Sequence, residues 1–245
     1  MNKTPKTNKT SNMPIHVTFF YHSCVAVETS SAHLLFDFYP RKPFIPIPFP
    51  DGKKIYIFSS HGHGDHFHPY IFEENFAHSP VHYVLSDDIK TRPQGKSILW
   101  VKPHQTYNLD DLTIKTFGST DAGVSFLVKV NGFQLFHSGD LNWWHWKHFT
   151  KEEQEAERVN YQKEVKQLAK YSIDLAFVPV DPRLGDASHL AAHYFIEQVR
   201  PRYLVPIHLQ VDFEQMKTFA QTVDPAHCHV LTFERVGDRK ELLLS

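Results

Sequence analysis

Cysteine is almost missing from this chain: Cys24 and Cys228 are the only two among 245 residues. Two isolated thiols make neither a disulfide framework nor a CxxC metal knuckle, so both read as reduced core residues. An excess of either charge is missing as well, with 26 Lys and Arg against 27 Asp and Glu and a formal net charge of −1. Without a long Lys/Arg run the chain has no electrostatic footprint for nucleic acid or for an anionic membrane surface. No apolar stretch approaches the roughly 20 residues that span a bilayer. The opening MNKTPKTNKTSNM lacks the apolar segment of a secretory signal. These absences predict a cytoplasmic protein whose partner is a small molecule, with no nucleic acid and no membrane. They leave a homo-oligomer open.

What the chain does have is apolar and aromatic, 41% and 14% of its residues, enough for one substantial core. Residues 1–13 are polar and aperiodic and predict a disordered tail, leaving 14–245 as the folded domain. IHVTFFYHSCVAVET and HLLFDFY predict two or three short antiparallel strands, followed by a Pro-rich extended loop able to lie over a cleft. KKIYIF, VHYVLS, SILWV, LTIKTF, VSFLVKV and FQLFHS predict further strands. A helix should open at Pro69, and Asn131-Gly132 should turn the last two strands into a hairpin. In the second half, TKEEQEAERVNYQKEVKQLAKY predicts an amphipathic helix capped by Thr150. DLAFVPV and YLVPIH read as buried strands, Ser188 as the cap of a helix through Val199, and residues 213–222 as another helix. HVLTFE and RKELLL read as a closing hairpin. The whole predicts an α/β fold of two packed sheets with helices outside.

Histidine is the excess, at 18 residues. In FSSHGHGDHFHP, four histidines and one aspartate share positions 61–68, directly after the apolar KKIYIF. Strand ends in layered α/β folds aim polar side chains into a shared crevice. Two more apolar strands end the same way, FQLFHSG before Asp140 and YLVPI before His208. His61 and His63, two apart, point to one side of an extended backbone, while Asp65 and His66 lie beyond the bend at Gly64 and reach a second place nearby. The spacing accommodates two ions.

HGHGDH resembles the HxHxDH signature of the metallo-β-lactamase superfamily, and HSGD at 137–140 and PIH at 206–208 resemble its later aspartate and histidine motifs, in the same order. The resemblance covers 14–245. GSTDAGVSFLV, HSGDLNWWHW and AFVPVDPR look most similar to bacterial metal-dependent hydrolases nearest the ascorbate-6-phosphate lactonase-like branch. It implies the four-layer αβ/βα sandwich of that superfamily and two divalent metal ions, Zn2+ first, with Mn2+ or Fe2+ as alternatives. By the same resemblance His61 and His63 hold the first ion, Asp65, His66 and His208 hold the second, and Asp140 bridges them. The superfamily's third histidine on the first ion is missing. At that place the sequence reads Gly118-Ser119-Thr120-Asp121, where Asp121 is either the substituting ligand or a turn residue bonding its own backbone.

The implied chemistry is hydrolysis. Paired ions turn water into hydroxide near neutral pH, the hydroxide attacks a small ester, lactone or phosphodiester, and Asp65 is the catalytic residue that orients it and relays its proton. Two residues read as substrate-binding. His22, in the turn between the first two strands, stands where the resemblance implies a histidine near the metals, or else is a satisfied core histidine, and Arg183 in VPVDPR either clamps an anionic substrate group or forms a salt bridge with Asp181 or Asp186. Trp143, Trp144 and Trp146 are either a cleft wall or core packing. His189 and His193 read as surface or packing residues, His68 as a cap neighbour and His104 as a loop residue. An RNase Z-like phosphodiesterase is the alternative enzyme, and it would need a basic groove that the charge pattern does not show. A non-catalytic metal- and metabolite-binding protein is the alternative outside enzymes.

Overall fold

The computed structural model describes residues 14–40, 47–73 and 81–242. The expected N-terminal tail and residues 41–46 of the Pro-rich loop lie outside them. One sheet is built from β1 (Ile15–Tyr21), β2 (Cys24–Glu28), β3 (Ala32–Phe36), β4 (Lys54–Ser59), β5 (Val81–Ser86), β6 (Ile98–Val101) and β14 (Asp238–Leu242). The other is built from β7 (Thr106–Leu109), β8 (Leu112–Phe117), β9 (Ser125–Val130), β10 (Phe133–His137), β11 (Leu175–Pro179), β12 (Tyr203–Ile207) and β13 (His229–Val230). Their strand orders are β14-β1-β2-β3-β4-β5-β6 and β13-β12-β11-β10-β9-β8-β7. Both are mixed: β1 to β3 pair antiparallel and β3 to β6 parallel, while β7 to β10 pair antiparallel and β10 to β13 parallel.

The strand sequences explain the layering. In β4, Tyr56 and Phe58 face the core between the sheets, where they meet Phe126 and Val128 of β9 and Phe177 of β11, while Ile55 and Ile57 point the other way. A strand buried on both faces reads as a continuous apolar run, and KIYIF is one. On the outer face of the second sheet, Leu127, Phe136, Ala176 and Leu204 pack under α1 (Lys151–Leu168) and α2 (Leu190–Val199) through Tyr161, Val165, Leu168, Ala192, Phe195 and Val199. In α1 the buried Tyr161, Val165 and Leu168 recur at helical spacing, and Thr150 and Glu153 form the reciprocal cap at its start. Over the outer face of the first sheet lie Phe67 and Ile71, carried by a loop and a single 3-10 turn, Pro69–Phe72. A third helix, α3 (Phe213–Gln221), joins both clusters through Met216 and Phe219. The architecture is the expected α/β sandwich of two mixed sheets with helices.

Three local expectations are corrected. HVLTFE and RKELLL do not close on each other: β13 adds parallel to β12 at the edge of one sheet, and β14 adds antiparallel to β1 at the edge of the other. Ser188 does not cap α2. It ends a 3-10 segment, Pro182–Ala187, so that α2 starts after His189 without a side-chain cap bond. The opening at Pro69 gives one 3-10 turn, capped by His68, whose Nδ1 accepts from the Tyr70 N–H at 3.2 Å. One short strand, β7, had no periodicity to announce it. Asn131 and Gly132 take φ of 51° and 82°, the left-handed pair that a two-residue hairpin requires. Cys24 and Cys228 are free and buried.

Candidate metal centre

β3 and β4 run parallel and end side by side, which sets Asp37 next to Ser60. The fully buried Asp37 carboxylate accepts from the Ser60 N–H at 2.7 Å and the Ser60 hydroxyl at 2.8 Å. It also accepts from His66 Nδ1 at 2.8 Å. Because the hydroxyl gives its one proton to Asp37, its lone pairs take the Nδ1–H of His61 at 3.0 Å. One carboxylate therefore fixes two imidazoles with Nε2 aimed inward, that of His61 at 3.1 Å from His63 Nδ1. At the end of β12 the arrangement repeats: Asp181 Oδ2 holds His208 Nδ1 at 3.0 Å. Two glycines permit the close approach. A Cβ on Gly123, at φ 67°, would lie 2.0 Å from the Ser60 carbonyl oxygen, and one on Gly139, at φ 52°, would lie 2.6 Å from the Ser60 Cβ.

These nitrogens converge with carboxylates into two groups. His61, His63, Asp121 and Asp140 form one, and His22, Asp65, His66 and His208 the other; within each, the facing atoms lie within 4.8 Å of one another. Asp140, at the end of β10, stands between them. Its Oδ2 is 3.5 Å from His61 Nε2, while its Oδ1 is 3.0 Å from His66 Nε2 and 3.2 Å from His208 Nε2. Asp121 Oδ2 is 3.5 Å from His63 Nδ1, and Asp65 Oδ2 is 3.4 Å from His22 Nε2. The structure thus brings together all seven residues read as metal-binding from the sequence. Asp121 also shows a turn contact, its N–H bonding the Ser119 hydroxyl at 3.2 Å.

The electrostatics are those of imidazoles and carboxylates buried together. Burial would keep His66 neutral, but Asp140 and Asp37 on either side push it up to about 10. Burial opposes the charge on Asp140 too, and His66 and His208 nonetheless hold it well below the carboxylate range. Asp65 is held low chiefly by the imidazole of His22. Burial outweighs Asp65 at His22 and pulls it down to about 4. His66 Nε2 and Asp140 Oδ1 lie at contact distance yet make no aligned hydrogen bond, and both ring nitrogens of His22 are buried without one. Buried polar atoms that point at a common space rather than at each other fit a metal ion.

A family model for the beta-lactamase superfamily domain matches residues 16–208. The chain belongs to that family. A curated relative, the UPF0173 metal-dependent hydrolase of Heliobacterium modesticaldum, is 25% identical over 240 residues, 89% of this chain and 94% of its own. Among solved structures, Igni18, a metallo hydrolase from Ignicoccus hospitalis, superposes with a TM-score of 0.64 at 15% identity, covering 95% of this chain and all of its own. The metallo-beta-lactamase fold protein YhfI of Bacillus subtilis gives 0.63 at 14% identity, covering 94% and 99%. At such identities the two structures speak for the fold alone.

Beside the second group opens a cleft of about 450 Å3 lined by His22, Asp181, Arg183, His208 and the segment 209–212. Arg183 pairs with Asp181, with Nε at 3.0 Å from each carboxylate oxygen and Nη2 at 2.5 Å from Oδ2. The guanidinium also lies over the Trp146 ring at 5.5 Å. Asp186 instead faces Lys147. The tryptophans divide: Trp143 packs on Tyr161 and Tyr194 in the helix layer, whereas Trp144 meets the His208 ring edge-on at 5.5 Å and stacks on Trp146. His189 and His193 are packing residues on Phe219, bonded to Gln215 and Thr222. His104 sits in a loop at 3.6 Å from Glu164. Sequence reasoning missed Asp37 and the role of Asp181. For Asp37 the signal was present in HLLFDFY, an acid at the end of an apolar strand, the same pattern that singled out Asp140.

Proposed function

We propose that this protein is a cytoplasmic dinuclear metal-dependent hydrolase acting on a small ester, lactone or phosphodiester. The carrying observation is Asp140, one carboxylate that turns one oxygen to each ligand group. Its chemistry as a bridge neutralises charge shared by two cations. Two divalent ions bound there, Zn2+ or the harder Mn2+ or Fe2+, would supply Lewis-acid polarisation and activation of water. The chain's own residues do the rest. His61, His63 and Asp121 would hold one ion and Asp65, His66 and His208 the other. The half-exposed Asp65 carboxylate offers an acceptor oxygen that would orient the attacking water. Trp144 and Trp146 wall one side against solvent, and Arg183, held rigid by Asp181, presents its remaining N–H donors to an anionic group of the substrate. The name of the Heliobacterium relative supports the same reaction class.

The test is a screen of the chelated and reloaded protein on lactone, phosphodiester and thioester substrates. Hydrolysis should vanish on chelation, return with added divalent metal, and fall to background in Asp140→Asn. Activity that survives chelation, or full activity with two equivalents of metal in Asp140→Asn, would overturn the proposal.

A further inference from the structure

His22 is a buried histidine with no assigned task. Its residue is 5% exposed, Nδ1 has no hydrogen-bond partner among the described residues, and Nε2 stands 3.4 Å from Asp65 Oδ2 without an aligned hydrogen bond. A satisfied core histidine would have one, because burying an unpaired imidazole is costly. The backbone holds it in place at some expense: φ is 55° at His22 and 64° at His208, both left-handed. The two are tied to each other and to the same loop, His208 N–H to the His22 carbonyl at 3.0 Å and His22 N–H to the Gln210 carbonyl at 2.9 Å. Strain kept at two adjacent residues fixes the ring of His22 against that of His208, centroids 3.9 Å apart. It also brings a ring nitrogen within 4.8 Å of the ligand atoms of Asp65, His66 and His208.

We infer that His22 is a ligand of the second ion, and this rests on the dinuclear reading above. Three imidazoles and one carboxylate, with Asp140 Oδ1 beside them, form a nitrogen-rich shell of the kind that retains zinc. The first position has two imidazoles and two carboxylates, and His63 and Asp121 have half-exposed side chains. The two positions are therefore unequal. The second is filled first and held, and the first exchanges.

The decisive measurement is Zn2+ titration of the chelated full chain against a competing chromophoric chelator. The unmutated protein should bind two ions in two phases. His22→Ala should weaken the tighter phase by at least about a hundredfold while leaving the weaker phase in place, since loss of even an outer-shell partner costs 10- to 100-fold. Asp121→Ala should do the reverse. Because His22→Ala could unfold the strained turn, the ring-nitrogen NMR signals of the unmutated chain give a second readout. The His22 signal should shift with the first equivalent of Zn2+, together with those of His66 and His208. Two ions bound normally with a tight phase untouched in folded His22→Ala, or a His22 signal that never moves, would overturn this assignment and leave the hydrolase reading intact. No stoichiometric binding in the unmutated chain would overturn both.

Discussion

The two ligand groups differ in how the fold holds them. His66, in the turn after β4, and His208, at the end of β12, belong to the second; both are buried and each is locked by its own carboxylate, Asp37 and Asp181. In the first, His61 is buried and locked through Ser60 and Asp140 is buried, while the side chains of His63 and Asp121 are half-exposed. The Asp121 loop is tied down by polar bonds alone, Thr120 Oγ1 to the Asn142 carbonyl at 2.6 Å and Gly118 N–H to Glu164 at 3.0 Å. One group is thus held rigidly and the other more loosely, while a single carboxylate, Asp37, underlies both.

The largest expected effect breaks both groups together. Gly123→Ala forces a Cβ to 2.0 Å from the Ser60 carbonyl at φ 67°, where backbone on both sides must move. We expect a stability loss of roughly 3–5 kcal/mol in chemical denaturation, with weaker metal binding at both positions. Gly132→Ala is the control: φ is similar at 82° but nothing lies within 4 Å, so only the left-handed penalty of about 1–2 kcal/mol remains. Equal losses in the two variants would mean that the contact at Ser60 relaxes freely.

A smaller pair of changes sharpens the comparison. Asp37→Asn disturbs the imidazoles of both groups and should cost about 10- to 100-fold in affinity at each position, whereas Asp181→Asn touches His208 and should cost that much at the second alone. Metal titration separates the outcomes, and a loss confined to one position in Asp37→Asn would contradict the shared support. pH should separate the groups as well. In the metal-free protein His66 keeps its proton up to about pH 10 and His208 is also raised, so an ion entering the second group must expel protons. Between pH 6 and 9 its affinity should climb at least about tenfold per unit. His61, lowered by burial, is already neutral there and offers no such competition. A tight phase indifferent to pH would refute the protonated state of His66.

Much of this was legible in the sequence, because sheets buried on both faces write long apolar runs and strand ends write the polar residue that follows. His61, Asp140 and His208 were visible for that reason. The partner of an edge strand is not local information, so HVLTFE and RKELLL looked like neighbours although they close opposite sheets. His22 looked like a turn residue near the substrate, since nothing in YHSC shows that the chain returns at His208 to pair backbones with it. Arg183 was readable as a cation at a strand end with Asp181 two residues away; that Asp181 would also hold His208 depends on a contact across 27 residues.

The smallest expected effect tests whether the scaffold and the site are separable. Thr150 and Glu153 bond reciprocally at the start of α1, at 3.2 and 2.7 Å, far along the helix from Glu164, which supports the Asp121 loop. Thr150→Ala removes one cap acceptor and leaves the buried Tyr161, Val165 and Leu168 in place. Stability should fall by about 1 kcal/mol. Both metal phases should keep their affinities, because fraying of the first turn stops short of the residues that pack on the second sheet. If the weaker phase alone loosens in Thr150→Ala, then α1 acts on the first group as one rigid lever, and the adaptable side of the site extends from the Asp121 loop to the helix above it.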